Sequence, residues 1–316
     1  MTIKTKLSAI AALLLTIATG ALAADKPTAH QIPLRMLGGY AVVEAKLDGY
    51  DRPLRLIVDT AASVSALDSK LAEQLNMVDS NARADSVQGA SGAAHNVQFG
   101  KRTEFLLAGR RYELQPILTQ MSHFSRGGAD PGSYHGILGN DLLQQYDIRF
   151  DVPAGVLELV EAAPNGLQFA GRQCQSNGFS ADRPHYLKGF GKIDVGASSD
   201  GRHSSIEALI DTGAAQTLFN WAAIQTLGYK RGDDRLRERA QGTSGFGHQR
   251  IETHLAVLDE LSYGTWNTPE LEVRVTDLPV LKAIGMDQGP AVILGIDVLQ
   301  QLPLTISKGV THICMG

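Results

Sequence analysis

The chain has 316 residues, of which 43% are hydrophobic, 20% charged and only 6% aromatic, with a formal net charge of −4. That length holds two domains of ordinary size, and the composition is that of a globular protein whose cores are packed mainly by aliphatic side chains. An acidic balance without a basic, aromatic-interleaved patch argues against nucleic acid as a partner.

The chain opens with Lys4 and Lys6, an apolar run from Leu7 to Ile17 and the small-residue tripeptide Ala21-Leu22-Ala23. This is the order of a secretory signal peptide over residues 1–23, with cleavage expected after Ala23. The alternative is an uncleaved anchor, but the run is shorter than the roughly 20 residues a spanning helix needs. Either way the rest of the chain is expected outside the inner membrane, periplasmic or secreted. Once the signal is removed, no membrane segment is expected.

Residues 40–47 and 54–58 read as strands around the hairpin signal Asp48-Gly49. The second strand runs into Leu56-Ile57-Val58-Asp59-Thr60-Ala61-Ala62-Ser63. Leu67, Leu71 and Leu75 then follow a helical spacing. Gln88-Gly89-Ala90-Ser91-Gly92 lies between strand-like segments, as a hairpin tip would. A Gly-rich loop, Ser122 to His135, precedes Gly136-Ile137-Leu138-Gly139-Asn140-Asp141, a buried apolar run leading into a helix over 140–146. A strand at 148–151 follows. Residues 161–184, rich in Gly, Asn, Gln, Ser and Pro, read as a linker.

The pattern then repeats. Strands at 188–195 and 205–210 flank a longer loop, Gly196 to Ser204, and lead to Ala208-Leu209-Ile210-Asp211-Thr212-Gly213-Ala214-Ala215. Leu218, Ala222 and Leu227 give a second short helix. Gln241-Gly242-Thr243-Ser244-Gly245 matches the first hairpin tip. A loop from Asp277 to Pro290 precedes Val292-Ile293-Leu294-Gly295-Ile296-Asp297, with a helix over 296–302 and a strand at 304–307. Three matched blocks in one order mark an internal duplication of about 120 residues. The reading is a mostly β protein of two homologous lobes, 35–160 and 185–312, related by an approximate two-fold axis.

In both units an aspartate ends an apolar strand. A carboxylate beside that much aliphatic surface is costly unless something satisfies it. Each aspartate taken alone fits a helix N-cap. Occurring twice, Asp59 and Asp211 meet on the axis if the equivalent turns face each other. Like charges at close range cannot both ionise easily and therefore share a proton. One carboxylate then serves as base toward a water molecule while the other donates to a carbonyl oxygen. Thr60 and Thr212 are placed to bond across the axis to the opposite backbone. The small residues Ala61 and Gly213 let backbone N–H groups approach the carboxylates. Ser63 is expected to donate to the outer oxygen of Asp59, and Ala215, at the equivalent position, has no such group. No metal-ligand cluster is apparent, and no cofactor is expected. Cys174 and Cys314 are too far apart in sequence for a Cys-x-x-Cys zinc motif. They are expected to form a disulfide in an oxidising compartment, the alternative being two buried thiols.

Asp211-Thr212-Gly213-Ala214, with the downstream Ile137-Leu138-Gly139 and Ile293-Leu294-Gly295, resembles the signature of pepsin-like and retropepsin-like aspartic proteases. The chain is similar to bacterial retropepsin-like proteases exported to the periplasm, here as two fused units. The resemblance implies two β-barrel lobes with the active site in the cleft between them, a polypeptide substrate and endopeptidase activity. A fused pair supplies both carboxylates, so a monomer is expected. The resemblance also implies that Gly89, Ala90, Ser91 and Gly92, and Gly242, Thr243, Ser244, Gly245 and Phe246, form flaps over substrate. Phe246 either covers substrate side chains or packs in its hairpin. Ala61 departs from the family pattern, which has glycine there. If the position requires positive φ, Ala61 is strained. That departure keeps open a catalytically silent peptide-binding or assembly protein of the same fold. A serine hydrolase fits poorly, because neither Gly-rich block has the G-x-S-x-G spacing. His95 and His248 read as solvent-facing, and His135 as structural.

Overall fold

A computed structural model describes residues 29–124, 134–161, 173–180, 182–243, 245–246 and 250–316. The segment read as a signal peptide lies outside the described residues, as do Ser244, His248 and most of the Ser122–His135 loop. Strand accounts for 51% of the structure and helix for 13%, the mostly β architecture expected from the repeats. Among the described residues no helix is long and apolar enough to cross a membrane.

The first half comprises β1 (Ala29–Leu37), β2 (Tyr40–Leu47), β3 (Tyr50–Val58), β4 (Ala66–Asp68), α1 (Ser69–Gln74), β5 (Val78–Gly89) and β6 (Gly92–Gly100). It continues with β7 (Thr103–Leu107), β8 (Arg110–Leu114), β9 (Ile117–Thr119), β10 (Gly136–Leu138), α2 (Asn140–Leu143), β11 (Asp147–Asp151) and β12 (Val156–Val160). In the second half β13 (Gln173–Ser176), β14 (Lys192–Ser199), β15 (Arg202–Ile210), β16 (Leu218–Phe219), α3 (Trp221–Thr226), β17 (Arg237–Glu238) and β18 (His254–Tyr263) come first. They are followed by β19 (Trp266–Val275), α4 (Pro279–Ala283), β20 (Ala291–Leu294), α5 (Ile296–Leu299), β21 (Leu304–Ile306) and β22 (His312–Met315).

The second lobe is a ring, β14-β15-β20-β16-β19-β18, closed by the pairing of β18 with β14. The first lobe follows the same path through β2, β3, β10, β4 and β9, with β7 on the far side of β2. Where β19 runs unbroken, its equivalent is split into β8 and β9 at Gln115-Pro116. Proline has no N–H to give a ladder, so the ring is interrupted there. In both lobes the strand carrying the aspartate pairs in parallel with the Ile-Leu strand, β3 with β10 and β15 with β20. The short helices are capped as their sequences suggest: Asp68 accepts from Leu71 N–H and Asn220 from Ala223 N–H.

A second layer joins the lobes. Strand β11 of the first half, flanked by β12, pairs with β21 of the second, which is flanked by β22, and β13 adds to the edge. The segment read as linker therefore contributes a strand. There Cys174 faces Cys314 in register, the Cα atoms 4.0 Å apart and the sulfurs bonded. Tyr263 donates its hydroxyl to the carbonyls of Gln173 and Ile313, tying the barrel to this sheet.

Three local expectations need correction. The span from Gly196 to Ser204 is not a long loop, because β14 and β15 continue to a two-residue turn at Asp200-Gly201, both at positive φ (50° and 71°). Asp-Gly is the preferred pair for that turn, and it was legible at this place too. The span from Asp277 to Pro290 contains α4, started by Pro279 at its first turn, where proline's fixed φ suits a helix. The helices expected over 140–146 and 296–302 stop after one turn, at Leu143 and Leu299.

Candidate active site

Asp59 and Asp211 stand at equivalent turns, immediately after β3 and β15. The backbone N–H of each donates to the Ile-Leu strand, Asp59 to Leu138 O at 3.0 Å and Asp211 to Leu294 O at 3.1 Å. Each side chain folds back on its own turn. Ala61 N–H donates to Asp59 Oδ1 at 2.8 Å and Gly213 N–H to Asp211 Oδ1 at 2.9 Å.

The two turns are locked together by threonine. Thr60 N–H donates to Thr212 Oγ1 (3.1 Å), and Thr60 Oγ1 donates to Ile210 O (3.0 Å). Reciprocally, Thr212 N–H donates to Thr60 Oγ1 (3.2 Å) and Thr212 Oγ1 to Val58 O (2.7 Å). Both threonines are buried, so these four bonds have no competing water. They bring the acidic turns into one site. A β-carbon on Gly213 would lie 2.3 Å from both Cγ and Oδ2 of Asp59, so the opposite carboxylate occupies the space that glycine leaves empty.

Electrostatics follow from that placement. Burial raises Asp59 from the usual 3.8 to about 6, against the opposing hydrogen bonds from the Ala61 and Ala62 backbone. Asp211 is raised well above its ordinary value, first by burial and then by the negative charge of Asp59. Together the pair retains a proton where isolated aspartates would have lost theirs.

Sequence reading missed what holds the turns from below. Asp141, at the start of α2, accepts from Ser65 N–H and Oγ–H, and Ser65 Oγ in turn accepts from Gly139 N–H. Asp297, Thr217 and Gly295 repeat the arrangement in the second lobe. A β-carbon on Gly139 would fall 2.8 Å from Val64 C, and one on Gly295 2.8 Å from Gln216 C. The glycine after each Ile-Leu pair therefore lets that strand end pass under the Asp turn. The signal was present in the third repeat block, whose Gly-x-Asp pattern has no other use. Asn140 adds a bond with no counterpart, Nδ2 to Thr60 O at 2.7 Å.

Two expectations at the turns resolve differently. Ser63 lines the cleft but makes no hydrogen bond to Asp59 among the described residues; the Ala61 N–H bond to Oδ1 is the twin of the Gly213 bond and is separate from it. Ala61 is not among the residues with positive φ, so its methyl causes no backbone strain.

Above the carboxylates is a cleft of about 620 Å³, lined by both aspartates and mostly apolar side chains, including Phe99, Ile117, Leu209 and Leu278. Both expected flaps reach it. Gly89 and Gly92 end the strands of a regular hairpin, with Ala90 and Ser91 at its tip. In the second flap Thr243 bridges to Ile251, the one bridge among its described residues, with Gly242 at φ 58° before it. Thr243 is anchored by the Thr253 hydroxyl. The tips meet: Ser91 Oγ accepts from Gly245 N–H at 3.3 Å, and Ser91 N–H donates to Phe246 O at 3.4 Å. A β-carbon on Gly89 would lie 1.9 Å from Phe246 O, so this contact requires glycine. Phe246 both lines the cleft and packs on the core of the first lobe. His95 is exposed, and His135 Nδ1 accepts from Arg55 N–H, a structural contact.

A family model described as "Aspartyl protease" matches the chain twice, over residues 43–142 and 195–298. No curated protein matches it.

Proposed function

Since the chain belongs to the aspartyl protease family, we propose that it is an aspartic endopeptidase in which Asp59 and Asp211 jointly activate a water molecule. The observation that carries the reading is the threonine lock, which sets two proton-sharing carboxyls side by side on the floor of one apolar cleft. An extended polypeptide lies across the cleft under the flaps, its backbone paired with them as an added strand. The ionised carboxylate takes a proton from water while the oxygen attacks the peptide carbonyl carbon. The protonated partner donates to the carbonyl oxygen, giving a neutral tetrahedral diol. The diol then collapses: one of its hydroxyls returns a proton to the ionised carboxylate, the protonated partner gives its proton to the amide nitrogen, and the C–N bond breaks, leaving one shared proton on the pair.

The chain supplies both carboxylates itself, which supports a monomer as the working unit. The tips touch through Ser91, Gly245 and Phe246, so substrate enters when the flaps part. Residues 1–23 are proposed to direct export to the periplasm, where the Cys174–Cys314 bond forms.

The test is incubation of the purified protein with unfolded casein across the pH range, followed by mass analysis of fragments. Internal cleavage by the wild type, lost in Asp59→Asn and in Asp211→Asn, is the expected result. Cleavage that survives both substitutions, or its absence at every pH, would overturn the reading.

A further inference from the structure

The duplication allows each cleft position to be compared with its twin. Val64 and Gln216 both lie five residues after their aspartates. Ile117 and Arg274 are also twins, because Ile117 pairs with Ala66 and Arg274 with Leu218, each seven residues after its aspartate. All four line the cleft. At one end the pair is Val64 and Ile117, part of an apolar cluster. At the other it is an amide and a guanidinium.

That substitution is costly in a place this enclosed. Arg274 is only 7% exposed. A guanidinium this far buried keeps its charge only where acceptors hold it. Gln216 Oε1 accepts from Arg274 Nε at 3.0 Å, and Gln216 Nε2 donates to Glu272 O at 3.2 Å, so the arginine is oriented by a residue that is itself held. The arginine's charge also acts on the Asp297 carboxylate, which accepts from Thr217 N–H, Thr217 Oγ1 and Val298 N–H. A planar guanidinium at the wall of an apolar cleft is suited to receive a carboxylate.

We infer that the cleft is selective by charge at one end: Arg274, oriented by Gln216, receives a carboxylate of the substrate, while the two-fold-related pocket at Val64 and Ile117 receives an aliphatic side chain. This rests on the peptidase reading of the cleft. The carboxylate belongs either to an acidic side chain or to the substrate's C-terminus, and the two sources can be separated.

One set of peptides, capped at both ends, carries Glu, Gln or Leu in turn at each position flanking the cleaved bond. A second set is apolar with a free or an amidated C-terminus. For the wild type we expect kcat/KM to favour the carboxylate by about tenfold or more in one of the sets, as for a hydrogen bond to a charged group. In Arg274→Leu that ratio should fall to about one, and Arg274→Lys should keep part of it. The twin Ile117 indicates that an aliphatic side chain fits this position; a melting curve for each variant checks the fold. A preference in the capped set assigns an acidic side chain, and one confined to free C-termini assigns the chain end. No carboxylate preference in the wild type, or one that survives Arg274→Leu, overturns the inference. If no peptide is cleaved the peptidase reading fails by itself, and equilibrium binding of the same peptides to the same proteins still decides whether Arg274 selects a carboxylate.

Discussion

The turns at Asp59 and Asp211 share a hydrogen-bonded frame, with one extra bond from Asn140 to Thr60 O, and carry different surfaces. Their backbone contacts to the Ile-Leu strands, their side-chain bonds to the second residue along and their threonine locks agree to within 0.3 Å. They part where a side chain faces the other half: Ala61 against Gly213, Ser63 against Ala215, Val64 against Gln216. The hydrogen-bonded frame tolerates little change, because each bond satisfies a buried group whose loss costs about 1–3 kcal/mol. The cleft face carries no such constraint and is free to diverge. A two-fold frame thus presents a cleft without two-fold symmetry.

The largest expected effect tests whether the frame's symmetry extends to the chemistry. Asp59→Asn and Asp211→Asn should each lower kcat/KM for a casein-derived peptide by about a thousandfold or more, and the double variant should be little worse, since the pair acts as one unit. Markedly unequal losses would show that the halves are not chemical equals. The next comparison is Gly213→Ala with Ala61→Gly. The added methyl would collide with the Asp59 carboxyl at 2.3 Å. Displacing that group by an ångström should cost about a hundredfold in kcat. Removing the Ala61 methyl relieves no positive-φ strain, so kcat should stay within about threefold. Thr60→Val and Thr212→Val come third. Each leaves one buried carbonyl and one buried N–H across the axis without a partner, and each should lower unfolding stability in urea by about 1–3 kcal/mol. A difference between them beyond about 1 kcal/mol would break the equivalence of the two locks.

Much of this is legible in the sequence. The three repeat blocks pointed to the two lobes, the buried Ile-Leu runs and both acidic turns, because repeated motifs fix which segments are equivalent. The Asp200-Gly201 turn was readable but passed over in favour of a longer loop. What the sequence could not reveal depends on contacts between distant segments. Ser63 has the right chemistry to reach Asp59, yet among the described residues its hydroxyl makes no bond there, and only the folded turn decides that. Arg274 lies far from every repeat block, and only the strand pairing of β16 with β19 places it opposite Leu218 in the cleft. The contact between the flap tips likewise joins distant segments, with Gly89 pressed against Phe246.

The smallest effect expected is thermal, and its sign follows from the raised carboxyls. The folded protein holds protons on Asp59 and Asp211 that the unfolded chain releases above 3.8. Stability from this source is therefore complete below that value, declines as pH rises through about 6, where Asp59 ionises, and declines further as Asp211 is forced toward ionisation. Asparagine carries no charge to bury. Asp211→Asn should consequently melt a few degrees above the wild type at neutral pH and with it in acid, read by calorimetry at both. The same titration sets the activity. The pair needs one proton, so turnover should rise as the first is lost near pH 6 and persist into the neutral range. An optimum below the ordinary aspartate value of 3.8, or a Tm difference that grows toward acid, would mean that the carboxyls are far better solvated than their apolar surroundings allow.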